Sequence, residues 1–322
     1  MASPGTLPLG VPLGILALAL LVDYVFGEPP ARFHPTVWMG KFAAALEPKL
    51  GGRSPRVEKL GGVFLALACP LLFAVPVFFA LALAKHHLGL AAYTVAAAVL
   101  LKLTFAIKAM EEHAFPIAEA LRRRKLGEAR RLVSRIVGRD TAELNEEQVI
   151  SAAVESVGES TVDGVVAPLF YFALLGVPAA VAYRAVNTLD SMVGYRNYKY
   201  ANLGFFPARL DAWANWCPAR LTGFLMVLAA GLLGEDWRKA LETLRRDRSR
   251  TPSINAGWPL SAMAGALGVR LEKPGFYALG DGASPLKPEH IFRSLRIMKL
   301  TAYLFIGLVV IPVAVGIITV IG

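Results

Sequence analysis

Three acids recur four residues apart within an apolar stretch of the chain: Glu155, Glu159 and Asp163. At 100° per residue a helix places all three in one column, with Ile150, Val154, Val157 and Thr161 on the opposite face. Like charges at i, i+4 destabilise a helix unless something cationic relieves them. No Lys or Arg occurs between Glu143 and Tyr183. A divalent cation such as Mg²⁺, carried by oxygen ligands and a nucleotide's phosphates, would supply that relief. The plainer reading is a solvated acidic face.

The next polar cluster is Asn187-Thr188-Leu189-Asp190-Ser191-Met192-Val193-Gly194-Tyr195-Arg196, with Asn187, Asp190 and Ser191 sharing a face if the helix continues. Helix capping by Asp190 or Ser191 is its simplest structural use. Ionisable groups at the edge of a membrane segment are costly enough that function is the default hypothesis. The expected catalytic set is therefore Glu155, Glu159, Asp163, Asn187 and Asp190, with metal ligation expected of Glu159, Asp163 and Asp190.

Oxyanion-binding groups follow. Pro207-Ala208-Arg209-Leu210 recurs eleven residues later as Pro218-Ala219-Arg220-Leu221. Proline favours the first helical position, which would put Arg209 and Arg220 in first turns, beside exposed backbone N–H groups that suit phosphate or carboxylate. Snorkelling to lipid headgroups is the alternative. Gly138-Arg139-Asp140-Thr141 reads as an inter-helix turn, with Asp140 or Thr141 as N-cap, or as part of a phosphate site. His34-Pro35 follows Asp23 to Pro30 where the first apolar stretch ends, and Ser253-Ile254-Asn255-Ala256-Gly257 reads first as a turn. The expected substrate- and phosphate-binding set is Arg139, Asp140, Arg196, Arg209, Asp211, Arg220, Asn255 and His34. No Walker A sequence, GxGxxG or HExxH occurs, which removes the standard nucleotide and zinc readings.

The elements that must position these groups are helices in lipid. Hydrophobic residues make up 55% of the 322 and charged residues only 18%. A bilayer core needs about 20 apolar helical residues. Residues 7–26, 61–84, 88–107 and 298–321 meet that length, while 165–186, interrupted by Pro168, Gly176 and Pro178, and 221–233 read as re-entrant or buried. The first of these lacks a basic n-region and a signal-peptide cleavage site, so it is expected to stay as a helix. The expectation is an all-α polytopic membrane protein. It is a single membrane-embedded domain over 1–322, with about four spanning helices and cytoplasmic helical insertions at about 108–164 and 235–297. Between Arg122 and Arg139 eight basic residues face the single acid Glu128, and 238–250 is similarly biased, which places both regions in the cytoplasm. Both termini then lie outside, with Lys85-His86-His87 as the outer loop. A net charge of +10 in so apolar a chain points to this sidedness rather than to nucleic acid. Cys69 and Cys217 offer neither a disulfide framework nor a metal site.

Taken in order, these residues resemble the adenosylcobinamide-phosphate synthase family from Asp23 to about Gly280. The resemblance rests on Asp23, Gly27, Pro29, Pro30, His34-Pro35 and Gly40, on Gly138 to Thr141, and on Glu155-Ser156, Glu159, Asp163-Gly164 and Ala167-Pro168-Leu169. It continues through the ten-residue run from Asn187 to Arg196, Ala208 to Asp211, Pro218 to Leu221 and Asn255 to Gly257. The ten-residue run is the specific part. Ser160, Ala212 and Ile254 depart from the family's usual Asn, Asp and Pro, and the first two remove a potential ligand or hydrogen-bond partner.

The resemblance implies ATP-dependent condensation of adenosylcobyric acid with (R)-1-amino-2-propanol O-phosphate, with ATP as co-substrate and Mg²⁺ as cofactor. It implies a multi-pass cell-membrane protein whose active site faces the cytoplasm. Its partners would be the corrinoid, the aminoalcohol phosphate, the lipid bilayer and candidate later-pathway cobalamin enzymes. Two rivals stand beside it. A different Mg²⁺-dependent intramembrane transferase would carry aspartate-rich signatures that are missing here, and a transporter would show a two-halves repeat where only the PARL echo is found.

Overall fold

The computed structural model describes residues 8, 10–195, 198–282 and 284–321. Among them the chain forms α1 (Gly10–Phe26), α2 (Pro35–Leu50), α3 (Pro55–Lys102), α4 (Ile107–Arg122), α5 (Leu126–Val133) and α6 (Glu146–Thr161). These are followed by α7 (Ala167–Leu175), α8 (Val177–Val193), α9 (Phe205–Ala214), α10 (Trp216–Leu232), α11 (Trp237–Asp247) and α12 (Gly257–Leu267). A short antiparallel hairpin, β1 (Leu271–Lys273) and β2 (Tyr277–Leu279), precedes α13 (Pro288–Phe305) and α14 (Ile311–Ile321). The protein is nearly all-α, as expected.

Two compact units divide the chain: 1–106 with 167–214 and 308–322, and 107–166 with 215–307. The polar insertions at 108–164 and 235–297 both fall in the second.

In the first unit α3 packs against α1, α8 and α9. Residues 61–84 and 88–107, read as separate spans, are joined in α3, which turns at one residue. Gly89 adopts φ +80° and ψ −179°, and helix resumes on either side. Only glycine takes that conformation cheaply. Lys85, His86 and His87 are thus the exposed last helical turn before the break, not a loop. The same geometry recurs at Gly176 (φ +80°, ψ −171°), where α7 ends and α8 begins with Pro178 in its first turn. The expected break of 165–186 into a helical hairpin lies here. Tyr171 and Tyr183 stack across it at 5.2 Å.

Among the described residues two stretches, Pro55–Arg122 and Pro288–Gly316, suffice by length and apolarity to cross a membrane, where four were expected. The difference arises because α3 merges two of the four and because α1 is only 17 residues long. Phe64, Leu67, Leu71, Phe78, Phe79 and Leu83 on α3 are each more than half exposed. A contiguous apolar face of this size marks an apolar partner rather than water.

A buried charge knot fastens the ends of α1 and α3. Lys102 Nζ lies 3.0 Å from Asp23 and 2.7 Å from Glu28, whose second oxygen is 2.7 Å from His34 Nε2. Lys102 and Asp23 are 2% and 4% exposed. Removing one member of such a knot strands the others in low dielectric. Lys102→Met is expected to cost about 3–5 kcal/mol, read as a lower melting temperature of the purified protein. Unchanged melting would show that the knot holds nothing.

Candidate functional site

In the second unit, α6 starts from a reciprocal capping box between Asn145 and Gln148. Every residue from Val149 to Gly158 is buried, Glu155 among them, whereas Glu159 is exposed and Asp163 half-buried. Glu155 accepts hydrogen bonds from Ser151 Oγ (2.8 Å) and the Tyr277 hydroxyl (2.6 Å), and Arg139 Nη2 stands 3.4 Å away. Ser151 also accepts from the Glu272 backbone N–H at 2.8 Å, which fixes the hairpin to α6. Lys273 and Tyr277 are paired in the hairpin register, so both arrive together.

Glu159 stands one turn beyond Glu155, with its side chain reaching the accessible surface. It is also hemmed in by protein. Desolvation first and the charge of Glu155 second push its carboxyl up to about 7, against the pull of Lys273 and Arg139. The cation shortage expected around the acid column is therefore not found: Arg139 and Lys273 supply the relief. Lys273 was missed because it lies more than a hundred residues downstream. Asp163 leaves the column as well, since it sits half-buried in a π-helical turn (Val162–Val166) whose wider winding breaks the i, i+4 register. That turn packs against α10 and α13.

Arg139 is the least satisfied group here. Its Nε and Nη1 are buried without a hydrogen-bond partner, a condition native structures rarely leave unused. Asp140 is exposed and accepts from the Ala142 N–H at 3.0 Å, a local turn; the N-cap of α6 is Asn145, not Asp140 or Thr141.

Arg220 does not occupy a first turn. Helix α10 begins at Trp216, two residues before the proline, so Arg220 is the fifth residue and lies 4.1 Å over the Trp216 ring, while Nη1 donates to Asn255 Oδ1 at 3.3 Å. In the first unit α9 begins likewise at Phe205, and Arg209 lies 4.4 Å over that ring. The echo is really aromatic-x-Pro-Ala-Arg. An aromatic four residues before each arginine was the available signal.

Also in the first unit, Asn187 Nδ2 donates to Asp211 Oδ1 at 3.2 Å and its Oδ1 accepts from Arg184 at 3.3 Å. Asp190 is desolvated and repelled by Asp211, which together push its carboxyl up to about 7. Gly194 makes this placement feasible, because a Cβ there would fall 1.9 Å from Asp190 Oδ1. Ser191 is spent on backbone carbonyls of its own helix. His34 uses both ring nitrogens within the protein, Nε2 toward Glu28 and Nδ1 accepting from Thr36 at the N-cap of α2. It acts as a strut. Arg196 lies outside the described residues.

Among the described residues no three His, Cys, Asp or Glu side chains gather to hold a metal. Mg²⁺ does not require them, since it keeps several waters and takes one or two carboxylates plus substrate phosphates. Asp190 and Asp211, mutually repelling and the second held by Asn187, fit that demand. Glu159, facing Lys273 and Arg139, fits it less well.

Fold and site define a nearly all-α protein with two long apolar helical stretches among its described residues and, within each unit, an acid cluster with an arginine nearby. The chain belongs to the CobD/Cbib protein family, whose profile matches residues 16–298. It is 41% identical over 293 residues to the probable cobalamin biosynthesis protein CobD of Methanothermobacter thermautotrophicus, covering 91% of this chain and 95% of that one. It is 43% identical over 293 residues to the cobalamin biosynthesis protein CobD of Geobacter metallireducens, covering 88% and 91%. The corresponding protein of Dehalococcoides mccartyi is 41% identical over 292 residues, covering 88% and 92%. No solved structure matches.

Proposed function

We propose that the protein is an adenosylcobinamide-phosphate synthase, a C–N ligase that condenses adenosylcobyric acid with (R)-1-amino-2-propanol O-phosphate at the expense of ATP. The observation that carries this reading is the pairing of Glu159, with its raised pKa, and Arg139, with its two unspent nitrogens, in a chain related to cobalamin biosynthesis proteins.

A carboxylate resists amines because its anion repels them and oxide is a poor leaving group. Phosphoryl transfer from ATP to the carboxylate gives an acyl phosphate and ADP; attack by the amine then forms the amide and releases phosphate and one proton. Arg139, whose Nε and Nη1 have no hydrogen-bond partner, is assigned to steadying the oxyanion through its planar guanidinium, which a lysine could not reproduce. Glu159 accepts the proton from the attacking amine, a task for which a carboxyl near the working pH is suited. In the second unit Arg220 and Asn255 are assigned to phosphate. In the first unit, taken by itself, Arg209 is assigned to phosphate, and Asp190 and Asp211 would hold Mg²⁺, which supplies neutralisation of phosphate charge when bound.

The test is direct. Purified protein with both organic substrates and Mg-ATP should yield the amide, detected by mass, and omission of ATP should abolish it. Product without ATP, or none with all three, contradicts the proposal.

We further place α3 and the C-terminal helices in the cell membrane as part of a multi-pass arrangement, with the site on the cytoplasmic side, by the basic bias of 122–139 and 238–250. A cysteine at position 86 should be labelled from outside intact cells, and one at 124 or 246 should not. Outside labelling of 124 or 246 would reverse the arrangement.

A further inference from the structure

Two guanidinium groups converge on one indole in the second unit. Arg220 lies 5.0 Å and Arg248 5.4 Å from the Trp258 ring centre. Arg220 and Trp258 meet because Gly223 lets α10 come against the start of α12: a Cβ at Gly223 would stand 3.2 Å from the Trp258 carbonyl oxygen. Arg248 is brought in by Gly257, where a Cβ would fall 2.0 Å from the Arg248 carbonyl oxygen. Both glycines are therefore required by close approach of backbone.

Like charges brought together need an explanation. Among the described residues neither guanidinium is ion-paired, and Asp247, the acid next to Arg248, is taken by Arg246 at 2.8 Å and Arg250 at 3.1 Å. Cation–π contact with Trp258 offsets part of the repulsion but does not neutralise it. Helix α12 opens beside the pair with no side-chain cap from Ala256, so its positive dipole end adds to the same field. Asn255, already bonded to Arg220, contributes an amide. Both arginines are only half-buried and stay reachable from solvent. The arrangement suits a compact anion of high charge.

We propose that Arg220 and Arg248, seated on Trp258 with Asn255 beside them, form a two-guanidinium clamp for the phosphate of a phosphomonoester. Arg248, Trp258 and Gly257 thereby become parts of a binding site. The assignment rests on the proposed function only for which ester binds; the clamp itself follows from the arrangement of charges.

The probes are inorganic phosphate and aminopropanol phosphate, titrated calorimetrically into the full-length protein in non-ionic detergent. The parent is expected to bind both saturably. Arg248→Gln should weaken binding about tenfold or more without shifting the melting temperature, since it removes a charge-assisted hydrogen bond. Arg248→Lys should recover only part, because the ammonium lacks the fork. Equal affinities in the parent, Arg248→Gln and Arg220→Gln, or no phosphate binding by the parent from either source, would overturn the clamp. If vesicles containing phosphatidate bind through Arg248 while soluble esters do not, the phosphate is a lipid headgroup held by the same clamp. A parent that binds phosphate through Arg248 yet makes no amide refutes the proposed function and leaves the clamp standing. Amide formation with phosphate affinity insensitive to both arginines refutes the clamp alone.

Discussion

Glu159→Gln is expected to lower kcat/KM for amide formation by about 10²–10⁴-fold, the range lost when a positioned proton acceptor is removed. Desolvation and the charge of Glu155 push the carboxyl up to about 7. Only the ionised form accepts a proton, so the parent's rate should rise with pH through about 7 and then level. The Gln variant's residual rate should lose that rise. Stability should move the other way. A carboxyl whose folded-state pKa lies above its ordinary 4.5 contributes no penalty below pH 4.5, and stability declines as pH climbs from there through about 7. Glu159→Gln should abolish that decline and melt higher than the parent above pH 7. A variant that keeps both a near-normal rate and the parent's pH profile would reduce Glu159 to a bystander.

Asp190→Asn carries the second large effect. The carboxyl is desolvated and repelled by Asp211, so its ionised form strains the fold above about pH 7. An amide of the same shape removes the repulsion. The expected result is a protein at least as stable as the parent but slower by about 10²-fold or more, with a higher Mg²⁺ requirement, the trade-off met where a strained site serves function. A merely structural Asp190 would give unchanged Mg²⁺ dependence, and near-normal turnover at limiting Mg²⁺ would remove the metal assignment.

How far the site could be read from sequence depended on how local each signal was. The hairpin break at Gly176 was legible because glycine and proline sit together in Leu175-Gly176-Val177-Pro178. The turn at Gly89 was placed slightly early, at Lys85-His86-His87, since no proline accompanies the glycine. Glu155 and Glu159 stood out by spacing alone, whereas the groups that define their chemistry did not. Tyr277 and Lys273 arrive on a hairpin more than a hundred residues away, and Arg139 was picked out as a phosphate candidate without its closeness to Glu155 and Glu159 being visible. Asp163 was misplaced in the column because nothing in its apolar surroundings announced a π turn. The two PARL arginines were placed too early in their helices, as Phe205 and Trp216 start those helices before the prolines do. Lys102 lay unremarked inside the apolar stretch 88–107, because its partners Asp23 and Glu28 are more than seventy residues away in the chain.

The central claim is that ATP is spent on activating the corrinoid carboxylate. The most direct measurement follows oxygen: adenosylcobyric acid labelled with ¹⁸O in its reacting carboxylate is turned over with Mg-ATP and aminopropanol phosphate, and the released phosphate is weighed. The account predicts one ¹⁸O transferred to inorganic phosphate for each amide formed, with ADP as the nucleotide product. Amide formation with unlabelled phosphate, or with AMP in place of ADP, would contradict it.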